Sequence, residues 1–240
     1  MTHGPPDDNL GGMPRTLRAS SADFCYHVLN RGNARAAVFH DDHDYAAFVE
    51  LIGLACERLP MRVLAYCLMP NHFHLVLRPH ADGDLSRWMQ WLLTAHVRRH
   101  HRRHRSSGHV WQGRFKAFPA QDDGHLLAVL RYVERNPLRA GLVPSAQDWP
   151  WSSLPLVGSR QRPAYFDPGP RPPPRAQWLR RVNAAMTEAE LSALQRCIDR
   201  GAPFGNAAWA QQAAESLALK SSLRPRGRPK KVATAESAAS

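Results

Sequence analysis

Two apolar runs, Arg62 to Met69 and His72 to Leu77, are separated only by Pro70 and Asn71. Runs of that length on either side of a Pro-Asn pair predict a tight antiparallel hairpin. Residues two apart on a strand share a face. Phe73, Leu75 and Leu77 therefore make one wholly apolar face that belongs under helices. His72, His74 and Val76 occupy the other, which is expected to be the more open one.

The hairpin sits inside a regular succession of elements. Phe24 to Asn30 reads as a first strand. Asp41 or Asp42 caps a helix whose Tyr45, Phe48, Val49 and Ile52 recur at helical spacing. Leu85 to Arg105 predicts a long basic helix with Trp88 and Trp91 turned to the core. Lys116 to Ala120 predicts a short strand, and Pro119 places it at a sheet edge. Asp122 or Asp123 then caps a helix with Leu126, Leu127, Leu130 and Val133 inward. Pro137 is expected to end or kink that helix at Asn136. The order predicts an α+β, ferredoxin-like βαββαβ antiparallel sheet with helices on one face, plus a C-terminal helical extension.

Composition divides the remainder of the chain. Residues 1–20 are Gly/Pro-rich and predict a flexible arm, and residues 21–156 form the main domain. Six prolines between Gln161 and Arg175 suggest that residues 157–176 are a stiff linker. Residues 177–222 predict further helices, one opened by a capping box at Thr187 to Glu190 and another capped by Asn206. Residues 223–240 form a basic, then Ala/Ser-rich tail. No apolar run has the ~18–20 residues of a membrane span. No signal segment opens the chain, and four scattered cysteines form no Cys-x-x-Cys pair. A soluble, cytoplasmic protein with free thiols is expected.

Charge points to the partner. Lys and Arg number 32 against 20 Asp and Glu, a net +12 that suits a polyanion such as nucleic acid. Between Leu85 and Lys116 lie eight Lys or Arg and no acid, interleaved with Trp88, Trp91, Trp111 and Phe115. Arg98, Arg99, Arg102, Arg103, Arg114 and Lys116 are the candidate phosphate contacts there, and mixed charge and rings suit single strands. Arg31, beside Gly32, is a further phosphate candidate that could as easily serve the fold. In the tail, Arg226 and Arg228 flank Gly227 and could enter a narrow A·T minor groove, or simply solubilise the chain.

His72 and His74 can grip one divalent ion through ring nitrogens. Taken alone, the pair reads more readily as polar residues of a solvated strand face. Tyr132 lies off the apolar stripe of the last helix, with Asn136 one turn further on, so a phenol and a metal-competent amide are presented together. A surface tyrosine and a capping asparagine would look the same locally.

Four blocks decide between these readings by resemblance. They are Tyr26 to Asn33, Ala65 to Leu75 with its Pro-Asn-His-Phe-His core, Gly108 to Phe115, and Arg131 to Gly141. Together they resemble the REP-associated tyrosine transposases, relatives of the single-tyrosine HUH transposases, from about Phe24 to Leu154. The resemblance implies that His72 and His74 are metal ligands, that Asn136 is the third, and that Tyr132 is the nucleophile. It implies a divalent ion, Mg²⁺ or Mn²⁺, and single-stranded hairpin DNA from repeated palindromes as substrate. The reaction implied is endonuclease cleavage and strand transfer through a 5′-phosphotyrosine, as a monomer or homodimer associated with the nucleoid. His96 stands where many relatives carry a tyrosine, and no tyrosine lies between Tyr66 and Tyr132. The tail resembles an AT-hook, which would add A·T-rich duplex as a partner. The competing expectations are a non-catalytic DNA-binding regulator that keeps the fold, and an RNA-binding protein.

Overall fold

A computed structural model of the chain describes residues 20–171 and 174–224. The N-terminal arm, except for Ser20, and the tail from residue 225 on, with Arg226 and Arg228, lie outside the described residues. Four strands, β1 (Cys25–Arg31), β2 (Met61–Met69), β3 (His72–Pro79) and β4 (Lys116–Ala120), form an antiparallel sheet in the order β2-β3-β1-β4. Helices α1 (Asp42–Arg58) and α2 (Asp84–His104) make the two crossovers. The expected βαββαβ α+β arrangement is present, with Pro119 on an edge strand.

The local signals account for the boundaries. Asp41 caps α1, its side chain accepting from the His43 and Asp44 amides. Asp123 caps α3 (Gly124–Arg139) through the His125 amide. At the hairpin turn the Pro70 carbonyl accepts from the amides of Val38 and Phe39, and the Asn71 carbonyl from that of Gly32. A Cβ on Gly32 would lie 2.3 Å from the Ala36 carbonyl oxygen, so this crossing admits only glycine.

One face of the sheet, with Tyr26, Val28, Leu68, Phe73, Leu75 and Leu77, packs on α1 and α2 as expected. Trp88 is fully buried there and Trp91 partly so. The other face is not open. Cys25, Leu29, Cys67, Met69, Val76 and Phe118 pack against Leu126, Val129, Leu130 and Val133 of α3. Helices therefore cover both faces, because these strands are apolar on both sides and an uncovered second face would leave that surface in water.

Two further expectations are corrected. The Pro-rich stretch is not a spacer between separate bodies. Phe166 bridges Val63 of β2, and Val157 and Phe166 share the α3 core with Trp178 and Val182 of α4 (Arg175–Asn183) and Leu194 and Ile198 of α5 (Glu188–Arg200). Prolines stiffen a strap that packs as well as one that spans. The second correction concerns α3, which continues through Pro137 to Arg139. Proline forfeits one amide donor, but the Ala140 amide still reaches the Asn136 carbonyl and closes a further turn. Beyond α5 come α6 (Ala207–Ser216), capped by Asn206, and the short α7 (Lys220–Leu223).

The back of α3 is tied down by charge. Glu134 and Arg171 form a fully buried ion pair at 2.6 Å. The Trp178 indole donates to the second Glu134 oxygen at 2.7 Å, and Arg171 also donates to the Leu64 carbonyl. Arg131 donates to the carbonyls of Ala184 and Ala185, which enter α5. A helix that looks amphipathic in sequence is thus buried nearly all round.

Candidate active site

β3 and α3 bring His72, His74 and Tyr132 together, with Asn136 one turn beyond Tyr132 on α3. The rings of His72 and His74 lie 5.0 Å apart by centroids, and the Tyr132 ring lies 5.8 Å from that of His74. His74, Tyr132 and Asn136 are buried, and His72 is half-buried beneath α3 rather than on an open face.

Each histidine is held by one ring nitrogen. Asn71 donates its Nδ2 to the Arg35 carbonyl, which fixes its Oδ1 as an acceptor. His72 Nδ1 stands 2.7 Å from that oxygen and must carry the proton, so Nε2 keeps its lone pair. His74 Nδ1 stands 2.9 Å from His27 Nε2. Among the described residues neither His72 Nε2 nor His74 Nε2 has a protein partner. Burial, and then Arg31 and Arg139, push the His72 pKa down to about 4, and burial holds that of His74 well below the usual value. Both rings are neutral at physiological pH, the state a metal requires.

Burial raises the Tyr132 phenol above its usual pKa, opposed first by Arg139, then by Asn136 and Arg31. The Arg139 guanidinium lies 5.2 Å from the Tyr132 ring centroid, with Nη2 3.5 Å from the phenol oxygen and 3.2 Å from Asn136 Oδ1. Asn136 Nδ2 donates to the Tyr132 carbonyl one turn back, leaving its amide oxygen toward Arg139. Two neutral imidazoles and an amide oxygen suit a hard-to-borderline divalent ion.

His27 and Arg139 complete this arrangement and were not singled out from the sequence. Arg139 stands seven residues, two turns, after Tyr132, a spacing that could have marked it. His27 shares a face with Leu29 and Arg31 on β1, but only the β1–β3 pairing sets it beside His74.

The basic residues separate into two groups. Arg31, Arg114 and Lys116 line a 420 Å³ groove with Gln112, Gln195 and Asp199. Arg31 pairs with His72 in the β1–β3 register, so this groove adjoins the histidine pair. The α2 arginines lie on the far side of the sheet, because α2 packs on the opposite face. There Arg99 is bonded to Glu50, and Arg103 to Asp41 and Asp44. Arg98 and Arg102 have no such partner among the described residues.

Residues 20–136 match the family model described as "Transposase IS200 like". This segment resembles that transposase family. The IS200-like segment holds β1 to β4 and α3 as far as Asn136, and so all four expected site residues. A Haemophilus influenzae protein assigned by name to the REP-associated tyrosine transposases is 32% identical over 110 residues. That match takes in 41% of this chain and spans 62% of the relative's own length. A solved REP-associated tyrosine transposase bound to a REP hairpin superposes with a TM-score of 0.50 at 18% identity. It covers 65% of this chain and 96% of that one, and at this identity the likeness is one of fold. Among the described residues no helix is long and apolar enough to cross a membrane.

Proposed function

We propose that this IS200-like protein cleaves and rejoins single-stranded, hairpin-forming DNA, with Tyr132 as nucleophile and a divalent ion held by His72, His74 and Asn136. The observation that carries the reading is the meeting of a buried phenol with two neutral imidazoles whose Nε2 atoms have no protein partner among the described residues. The hairpin preference is drawn from the solved structure of similar fold, which is bound to a REP hairpin.

A bound Mg²⁺ or Mn²⁺ would polarise the scissile phosphate and stabilise the charge that builds as it becomes five-coordinate. The chain's own residues supply the rest. Tyr132 oxygen attacks phosphorus in line, a phosphorus–oxygen bond forms to the tyrosine, and the bond to the 3′ oxygen breaks. The leaving oxygen takes up a proton as a 3′-hydroxyl, and the phenol proton is given up. Arg139 favours that loss because its positive charge stabilises phenolate. The 5′-phosphotyrosine keeps the phosphodiester energy, so a second 3′-hydroxyl can reverse the step. Arg31, Arg114 and Lys116 suit the phosphates that flank the cut, lining as they do the groove beside the histidines. Arg98 and Arg102 would attract DNA from a separate surface, and Arg226 and Arg228 would contact A·T-rich duplex.

The test mixes the full-length protein and Mn²⁺ or Mg²⁺ with end-labelled hairpins from palindromic repeats near its gene. A denaturant-resistant adduct that Tyr132→Phe abolishes, with hairpin binding unchanged on native gels, is the expected result. Tight binding by the wild type with no adduct in either metal would instead identify a binding protein that has kept the fold.

A further inference from the structure

The far side of the sheet carries a second histidine cluster that the cleavage reaction does not use. His40 ends the loop before α1, and His100 and His104 stand four residues apart near the end of α2. One ligand atom from each lies within 4.8 Å of the others. The ring centroids of His40 and His104 are 4.8 Å apart and those of His100 and His104 are 4.6 Å apart. Spacing of i, i+4 puts two imidazoles on one helix face, and a third from a neighbouring loop completes three nitrogen donors.

Three observations separate this cluster from an incidental gathering of rings. Both nitrogens of His100 are buried without a hydrogen-bond partner, although buried ring nitrogens ordinarily find one. Its neighbour His101 shows the ordinary case, bonding Ser106 Oγ through Nδ1 and the Gly108 carbonyl through Nε2. Second, both Asp44 oxygens lie 3.0 Å from His104 Nε2, and Asp44 also accepts from the His40 amide. A carboxylate that orients a histidine is the usual support of a metal-bound ring. Third, a small cavity of about 10 Å³, room for one water or ion, lies beside the cluster, lined by His100, His96 and His43 with Asp44, Arg99 and Arg103. Both arginines are already paired, Arg103 with Asp41 and Asp44 and Arg99 with Glu50.

We propose that His40, His100 and His104, supported by Asp44, bind a second divalent ion of zinc-like preference that clips the start of α1 to the end of α2. All-nitrogen donors favour zinc over the oxygen-seeking Mg²⁺. The ion would brace the end of α2 and the turn that leads on to Trp111, which bridges Gly32 beside the histidine strand.

The experiment uses untagged full-length protein stripped with chelator. Zn²⁺ is titrated against a colorimetric chelator, with Tm measured in parallel and tetrahedral Co²⁺ absorption as a spectroscopic readout. The His72→Ala, His74→Ala double variant is expected to retain one Zn²⁺ per chain and a Zn²⁺-dependent rise in Tm, with Mg²⁺ unable to compete. Adding His40→Ala, an exposed position, should weaken that binding at least tenfold and remove the Tm rise. His100→Gln should do the same and abolish the Co²⁺ bands. Loss of all tight Zn²⁺ binding in the double variant would overturn the proposal, as would binding unaffected by His40→Ala. Both readouts are independent of DNA cleavage, so failure of the proposed reaction would leave this result interpretable.

Discussion

His27 Nε2 lies 2.9 Å from His74 Nδ1, with the two rings stacked 13° from parallel at 5.0 Å. For His74 Nε2 to hold a metal, Nδ1 must carry the proton and donate to His27. His27 must then carry its own proton on Nδ1, a buried atom with no partner among the described residues. His27→Ala should therefore weaken divalent-ion binding at the His72/His74 pair by about 10- to 100-fold. Titration calorimetry with Mn²⁺ checks this, and His27→Gln, which still offers an acceptor, should recover part of the affinity. Equal affinity in His27→Ala and wild type would show that His74 needs no such orientation.

Arg139 stands at 3.5 Å from the Tyr132 oxygen and opposes the upward push of burial on its pKa. Arg139→Gln should raise the phenol pKa further and slow adduct formation by about 10²-fold, the usual cost of removing a charge-stabilising donor. Its pH–rate profile should move to higher pH, while hairpin affinity changes little. Single-turnover adduct formation across pH separates this from a loss of folding.

Glu134 is fully buried and bonded to both Arg171 and Trp178. Removing one partner of such a pair leaves an uncompensated buried charge, so Glu134→Ala should cost about 3–5 kcal/mol of stability. Urea denaturation followed by tryptophan fluorescence reads it directly. A loss below about 1 kcal/mol would put the pair in the class of exposed ion pairs.

Burial pushes the pKa values of His27 and His96 down to about 3 and of His72 to about 4 from an ordinary 6.5. The unfolded chain then binds protons below pH 6.5 that the native chain refuses. Stability should accordingly be flat above about pH 7 and fall as pH drops from 6.5 toward 4, by about 1.4 kcal/mol per unit for each fully buried ring. Chemical denaturation at pH 8, 6.5 and 5 checks the slope, and His96→Phe should make it shallower. Stability that rose on acidification would contradict the burial of these rings.

Much of this was legible locally. The Pro70-Asn71 hairpin, the caps at Asp41, Asp123, Thr187 and Asn206, and the edge position of Pro119 all follow from short-range chemistry. The His72, His74, Tyr132 and Asn136 quartet was reached through alternation, helical spacing and family resemblance. Less legible was the burial of α3. Arg131 and Glu134 look like solvent-facing charges until Arg171, Trp178 and the α4–α5 connection come down over them.

The sequence by itself determined which elements form and which side chains share a face, because strand alternation, helical period and capping act over a few residues. Only the tertiary structure decided that both sheet faces are covered, that the Pro-rich strap is packed, and that His27 meets His74. It also decided that His40 meets His100 and His104, and that the arginines of α2 lie across the sheet from Tyr132. Those outcomes depend on contacts between residues tens of positions apart, set by how strands pair and how buried charge finds a partner.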